Sequence, residues 1–299
     1  MKFLFFILII LPTITLAQTE TEGICDSLFS LSIDHVEAED LAAAILLWED
    51  IVKNYPDSLP CFKNSLNNLP IGYERLEDYE AAKKWTKKIL ETELNNFDQG
   101  SDIMEPYANY DHNACMQMAR ILYKEEKFEE GLEYLNLAES KYRYETFSAT
   151  SFEKRAVSIA LWKSDFYLKM DQKEKAIWVL VHKAIDVDVF YRKPDWSGFT
   201  NVNFYNEVVA QALALIDETY GFDTFKMSFF EAIKNIKVKK EFIIKGGKKT
   251  SAKSGTFELL GQSYFLGASD KKFNRKKFQK RILQTLFVMK LKASKSEKS

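Results

Sequence analysis

The sequence has few of the residue types on which metal centres, disulfide scaffolds and all-β folds depend. Its 299 residues include only three histidines and three cysteines, which leaves little material for a metal site. Eleven glycines and six prolines disfavour an all-β fold, because such a fold needs many tight turns. Hydrophobic residues still make up 46% of the chain, so the sequence can form a folded core and is not that of a disordered protein.

Recognisable catalytic motifs are missing as well. The chain has no Gly-x-Ser-x-Gly nucleophile motif, no His-Glu-x-x-His zinc motif, no Cys-x-x-Cys pair and no phosphate-binding loop. His112 and Cys115 would share a helix face, but Cys115 falls at a core position of the helical pattern described below. We therefore expect a protein that is not an enzyme and that binds no metal and no cofactor. An enzyme with an unrecognised site is the least favoured alternative.

The N-terminus has the three-part pattern of a secretory signal peptide. Lys2 precedes an uninterrupted apolar run over residues 3–11, Pro12 follows, and small residues lead to Ala17. A transmembrane anchor is disfavoured, since about 20 apolar residues are needed to span a bilayer and this run is shorter. We predict a signal peptide over residues 1–17, with cleavage before Gln18. The mature chain is then expected to be periplasmic or secreted, soluble, and without a transmembrane segment.

The balance of 42 basic and 43 acidic residues hides a strong asymmetry along the chain. Residues 234–299 carry 19 Lys and Arg against four acids, which leaves 23 basic and 39 acidic residues for positions 1–233. This asymmetry indicates a charged partner or contact between the two parts. An anionic envelope surface, docking on the acidic part and a solvated tail all stay open. Nucleic acid is disfavoured, because export argues against it.

The middle of the chain contains a repeated helical pattern. Four segments have apolar residues spaced three and four apart, which is typical of two amphipathic helices joined by a short polar turn. A less regular pair follows over residues 203–220 and 222–236. Two helices approach closely where one side chain is small and a bulky neighbour fills the gap. Such a small residue recurs one turn into each second helix, at Ala44, Ala82, Gly131 and Ala176.

This pattern resembles the tetratricopeptide repeat, a helical hairpin of about 34 residues that stacks into a superhelix. Residues 73–82 (Tyr-Glu-Arg-Leu-Glu-Asp-Tyr-Glu-Ala-Ala) match the turn and the start of the second helix, and residues 127–132 are a second match. Glu77 and Glu126 replace the glycine of the family's turn, and successive small residues lie 38, 49 and 45 positions apart. The resemblance implies an all-α fold, a superhelical α-α solenoid, over residues 18–236.

In that family the first helices of the hairpins line a concave groove. Amide side chains donate and accept hydrogen bonds at once, which suits the backbone of an extended peptide. We therefore expect an exported protein-interaction scaffold with a protein or peptide partner, although a merely solvated groove is the alternative. A second hypothesis is an envelope-associated assembly factor that uses the basic C-terminal segment on an anionic surface. The resemblance places nine of the candidate residues in the groove: Asn64, Asn67, Asn68, Arg75, Asn113, Gln117, Arg120, Tyr123 and Lys124.

The basic segment over residues 237–299 is predicted to have a small α/β structure. Residues 242–244 and 257–266 indicate a β-hairpin around a mobile loop at 246–255, and residues 274–291 indicate a terminal helix. We expect the strands to pack on the last helical hairpin, because they contain apolar side chains that need burial: Phe242, Ile244, Phe257, Leu259, Tyr264 and Phe265.

The three cysteines allow two interpretations. In the repeat pattern Cys25 and Cys61 lie on neighbouring helices and can form a disulfide in an exported protein. The interpretation we favour is three small buried thiols, because an odd number leaves one cysteine over in any case.

Overall fold

The computed structural model describes residues 22–92, 94, 109–146, 148–191, 203–245, 248–268 and 274–295. The predicted signal peptide lies outside these residues. The chain divides into two compact units, residues 1–147 and 148–299. None of the described helices is long and apolar enough to cross a membrane.

The first unit is built from helices that pack consecutively against one another. A bulky side chain has no room where α3 crosses α2, because a methyl group added at Gly72 would lie 2.9 Å from Ile45 Cγ1. The bounds of the helices are α1 (22–37), α2 (Leu41–Asn54), α3 (Leu59–Arg75), α4 (Tyr79–Thr92), α5 (Tyr110–Lys124) and α6 (Phe128–Ser140).

One turn geometry recurs between the helices of the first four pairs. Between α3 and α4, Glu77 has a φ of 60°, and the N–H of Asp78 donates to the carbonyl of Tyr73 at 3.0 Å. This is the helix-terminating motif that usually places glycine in the left-handed region. The same positive φ recurs at Glu39, Glu126 and Asp171. In each case the N–H of the next residue donates to the carbonyl five positions before it.

The small residues of the sequence pattern lie five positions after these turn residues. Ala44, Ala82 and Ala176 are fully buried, and Gly131 is buried as well. The left-handed turn residue and the buried small residue are therefore five positions apart in all four pairs. The predicted helix–turn–helix pairs are present and the predicted small residues are buried, and consecutive packing of the helices is compatible with a helical repeat.

A disulfide joins Cys25 in α1 to Cys61 in α3, with 6.1 Å between their Cα atoms. The expectation of three free thiols is therefore wrong for these two residues. The two cysteines are 36 positions apart, and only the packing of α1 beside α3 brings them together. Cys115 is a free, buried thiol, and burial raises its pKa to about 12.

The second unit combines six helices with a three-stranded antiparallel sheet in the order β1-β2-β3, counted over the residues that the structure describes. Its helices are α7 (Ala149–Lys169), α8 (Lys173–Tyr191), α9 (Asn203–Tyr220), α10 (Phe222–Lys234), α11 (Arg275–Leu283) and α12 (Leu286–Ala293). Its strands are β1 (Lys237–Lys245), β2 (Lys248–Leu259) and β3 (Gln262–Ala268).

The sheet differs from the predicted hairpin. Most of the predicted mobile loop, from residue 248 to 255, belongs to β2, which pairs with both other strands. The apolar run 257–266 is not one strand, because Leu260 and Gly261 have φ angles of 52° and 75° and turn the chain between β2 and β3. The predicted terminal helix is also divided, since Thr285 caps a new helix by accepting from the N–H of Val288.

The basic segment shares one core with the helices of its unit. The strand β2 packs on α10 of the last helical hairpin, as expected, whereas β3 packs on α8 of the preceding pair. Phe257, Leu259 and Tyr264 are buried, whereas Phe265 is 47% exposed. The predicted burial is thus confirmed for three side chains and wrong for Phe265, whose neighbours on the strand face the core instead. The side chains of Phe242 and Ile244 lie outside the described part of the structure.

Candidate partner-binding surface

The predicted groove residues occupy equivalent positions on α3 and α5, which pack against each other. Asn64 and Asn113, Asn68 and Gln117, and Arg75 and Lys124 are each 49 positions apart, the same distance that separates the turn residues Glu77 and Glu126. Within each helix these positions follow one face, because residues three, four and seven apart are neighbours on a helix. The structure therefore places the predicted residues as two matching stripes in the first unit.

Three of the predicted residues surround a buried carboxylate. Glu74 lies on α3 with its side chain 7% exposed, and it accepts hydrogen bonds from Gln117 and Arg120 on α5. Lys124 Nζ lies 3.1 Å from the second carboxylate oxygen of Glu74. Gln117 also donates to Pro70 O at 3.5 Å. Because these donors hold α3 to α5, they are engaged within the chain rather than held ready for a ligand.

The ionisation of Glu74 depends on this cluster. Burial of the carboxyl group favours its neutral form, but the hydrogen bonds from Arg120 and Lys124 outweigh burial and hold the pKa below its ordinary value of 4.5. A carboxylate with a lowered pKa in the folded state stabilises the fold above its unfolded pKa, and that contribution disappears as the pH falls through the folded pKa.

We expect Glu74→Gln to destabilise the first unit by about 1–2 kcal/mol at neutral pH, a modest effect because Arg120 and Lys124 are themselves partly exposed. The difference from wild type should shrink below about pH 4.5, where the carboxyl of the unfolded chain takes up a proton, and should disappear as the pH falls through the lower pKa of the folded state. Urea unfolding at several pH values measures it, with Glu133→Gln, an exposed glutamate in α6, as the control. A difference that is independent of pH would contradict this role.

The other predicted residues differ in whether their side chains contact other residues of the chain. Asn64 accepts a long hydrogen bond from the Tyr110 hydroxyl at 3.4 Å, and the Tyr123 ring lies edge-on to Phe128 with 5.6 Å between the centroids. Four remain without any side-chain partner among the described residues: the half-buried Asn67, Asn68 and Asn113, and the exposed Arg75. The surface that stays open for a partner is therefore smaller than the sequence indicates and is mainly made of amides.

A second candidate is a cavity of about 720 Å³ between α4, α5 and α6. Lys83 forms ion pairs with Glu80 at 2.6 Å and with Glu125 at 2.7 Å. Lys87 and Lys88 are exposed and have no acidic partner among the described residues. Sequence analysis missed this site, although its signal is the run Lys83-Lys84-x-x-Lys87-Lys88, which repeats at the four-residue spacing of one helix face. The rest of the lining includes Trp85, Met118, Leu122, Lys127, Glu130 and Tyr134.

The residues weighed for metal chemistry have structural roles here. His112 is buried with Nδ1 2.8 Å from Tyr142 O, and Cys115 is a fully buried core residue of α5, as the helical pattern predicts. Within the described ranges, histidines, cysteines and acidic residues form no group of three or more that could hold a metal ion.

Comparison of the chain with protein-family models and with curated protein sequences finds no match.

Proposed function

We propose that this protein is a scaffold of tetratricopeptide-like repeats that binds an extended segment of a partner protein across α3 and α5. The observation that carries the proposal is the fourfold recurrence of one turn geometry, with a buried small residue five positions later. Helical hairpins of this kind bury a continuous core only by stacking, and stacking produces extended surfaces on which partners bind. A superhelical solenoid of such hairpins is part of the proposal.

The chemistry of the open surface supports a peptide ligand. Asn67, Asn68 and Asn113 each offer a donor and an acceptor that no described residue uses. An extended peptide presents N–H and C=O groups that such amides can pair with. Arg75 lies at the end of the same stripe and would donate hydrogen bonds to an acidic side chain of the partner. The proposal assigns this surface no catalytic role.

A bait experiment tests the proposal. The full chain is immobilised and exposed to extract of its source cells, and retained proteins are quantified by mass spectrometry. The test variant is Asn67→Ala/Asn68→Ala/Asn113→Ala, and the matched control is Asn54→Ala/Asn136→Ala, which removes exposed asparagines elsewhere in the same unit. We expect proteins that wild type and control retain and the triple variant loses, and overlapping peptides of such a protein should identify one bound segment. Equal retention by all three baits would refute the proposal.

The proposal also places the scaffold outside the cytoplasm, in the periplasm or the medium. The disulfide between Cys25 and Cys61 supports this location, because disulfides persist in oxidising compartments and are rare in the cytosol. The predicted signal peptide points the same way. Mass spectrometry of the extracytoplasmic fraction should find a product that begins at Gln18. A chain that is found only in the cytoplasm and keeps Met1 would contradict this part of the proposal.

A further inference from the structure

The last two described helices have a strongly cationic outer side. Residues 274–295 contain eight lysines and arginines and no acidic residue, and all eight of these cations are exposed. The apolar side chains of the same stretch point the other way, since five of them are buried in the core of the second unit. The cations therefore remain on the surface while the helices are anchored from beneath through Phe278, Ile282, Phe287, Val288 and Leu291.

The fold of α11 does not explain the two lysines in its first turn, Lys276 and Lys277. Arg275, Lys276 and Lys277 occupy that turn, and it contains no acidic residue. The partial positive charge at a helix N-terminus favours acidic side chains there and disfavours lysine and arginine. A sequence that breaks a local rule without a structural gain points to a functional constraint at that position.

The outermost cations are also unpaired. Arg275 donates its Nε hydrogen to Ile236 O at 2.8 Å, so it helps to fix α11 in place. Lys276, Lys277 and Lys280 have no ion pair or hydrogen bond among the described side chains. Phe278 and Ile282 define the buried face of α11, and the helical period places Lys276 and Lys280 on the opposite face. These three lysines therefore present a fixed cationic surface to solvent.

We propose that this surface, formed by the exposed cations of α11 and α12, binds an anionic phospholipid bilayer. The inference is independent of the peptide-binding function proposed above. Clusters of four to eight lysines and arginines are typical of segments that bind acidic lipid headgroups. On α12, Met289 is 44% exposed one turn from Lys292, which adds an apolar side chain that can enter the headgroup region.

The residue types favour a lipid surface over nucleic acid. Six of the eight cations are lysines, which act as hydrated point charges, whereas base reading commonly uses the planar fork of arginine. Single-stranded nucleic acid is usually bound by stacking on exposed aromatic rings. Both phenylalanines of residues 274–295 are fully buried, so this surface offers no ring on which bases could stack.

Vesicle sedimentation tests the proposal with the full chain. Vesicles of phosphatidylcholine mixed with phosphatidylglycerol are compared with vesicles of phosphatidylcholine alone, at low and at high salt. We expect binding to the anionic vesicles that weakens with salt. The variant Lys276→Glu/Lys277→Glu/Lys280→Glu should bind them about 100-fold more weakly, because each lysine near the surface contributes about a fivefold change. The apolar run 3–11, where it is retained, is common to all variants, and its binding to vesicles does not depend on lipid charge.

The control changes net charge by the same amount elsewhere. Lys53→Glu/Lys154→Glu/Lys169→Glu alters three scattered exposed lysines of α2 and α7 and should bind anionic vesicles like wild type. The melting temperature of the α11 variant should be equal to or above that of wild type, because glutamate suits the first turn of a helix. Equal losses in both variants, equal binding to neutral vesicles, or displacement of the protein from vesicles by duplex DNA at equal phosphate concentration would each overturn the proposal.

Discussion

Replacing Phe229 with alanine is expected to lower the free energy of unfolding of the second unit by about 3–5 kcal/mol. The side chain is fully buried in α10 at the centre of the core that the helices share with the sheet. Its ring contacts Phe225 on its own helix, Phe257 on β2 and Phe287 on α12, with centroid distances of 5.8, 6.3 and 5.7 Å. Alanine would leave a cavity where three elements meet, and a well-packed core collapses only partly around such a gap.

Phe265→Ala removes the same ring from the same unit and is the matched control. Phe265 is 47% exposed on β3, so its loss should change stability by less than about 1 kcal/mol. Urea unfolding followed by circular dichroism measures both variants, and hydrogen exchange read by mass spectrometry assigns the change to peptides of the second unit. If the two variants proved equally stable, the basic segment would not share a core with α10.

This core explains why the charge pattern alone misrepresents the C-terminal segment. The excess of basic residues after residue 234 allows a solvated tail, but the buried set Phe257, Leu259 and Tyr264 ties the segment to the helices. The apolar character of these side chains was enough to predict their burial. A deletion of residues 238–299 would remove one side of the core, so point variants on the surface of α11 are the better probe of the cations.

The helices were predictable because their signals are local. Apolar spacing of three and four marks each amphipathic helix, and small residues such as Ala82 recur one turn into each second helix, where they are buried. The strand β2 was not predictable, since residues 248–255 are mostly polar and small and become a strand only by pairing with β1 and β3. The disulfide was left open for a related reason: its two cysteines are distant in sequence and meet through tertiary packing.

The sequence was enough to predict where the candidate site lies, but not which of its side chains are already paired within the chain. The stripe on α5 follows from helical spacing, so Gln117, Arg120 and Lys124 could be assigned to one face. That these three groups converge on Glu74 depends on the packing of α3 against α5 and not on either helix alone. The signal that could have indicated this pairing is an acidic residue on the first helix of one hairpin, Glu74 on α3, together with a row of donors on the first helix of the next hairpin, α5.

Glycine at the recurring turns should stabilise the first unit by about 1.5–3 kcal/mol in the triple variant Glu39→Gly/Glu77→Gly/Glu126→Gly. All three glutamates have φ near +60°, where a side chain with a Cβ atom costs about 1–2 kcal/mol. Glycine adopts this conformation without strain, but it gains about 0.4–1 kcal/mol of entropy in the unfolded chain, which offsets part of the benefit. The backbone hydrogen bonds that close the turns do not involve the glutamate side chains and are kept.

The matched control for the turn glycines is Glu129→Gly/Glu130→Gly/Glu133→Gly, which makes the same change in composition and charge at exposed helical positions of the same unit. There glycine should lower the free energy of unfolding by about 0.5–1 kcal/mol at each site. Glycine loses more backbone entropy than glutamate when it is held in a helix. Urea midpoints of the two triple variants should therefore move in opposite directions from wild type. Movement in the same direction would mean that the effect comes from composition or charge, and the repeated left-handed turn would not be the feature that joins these helices.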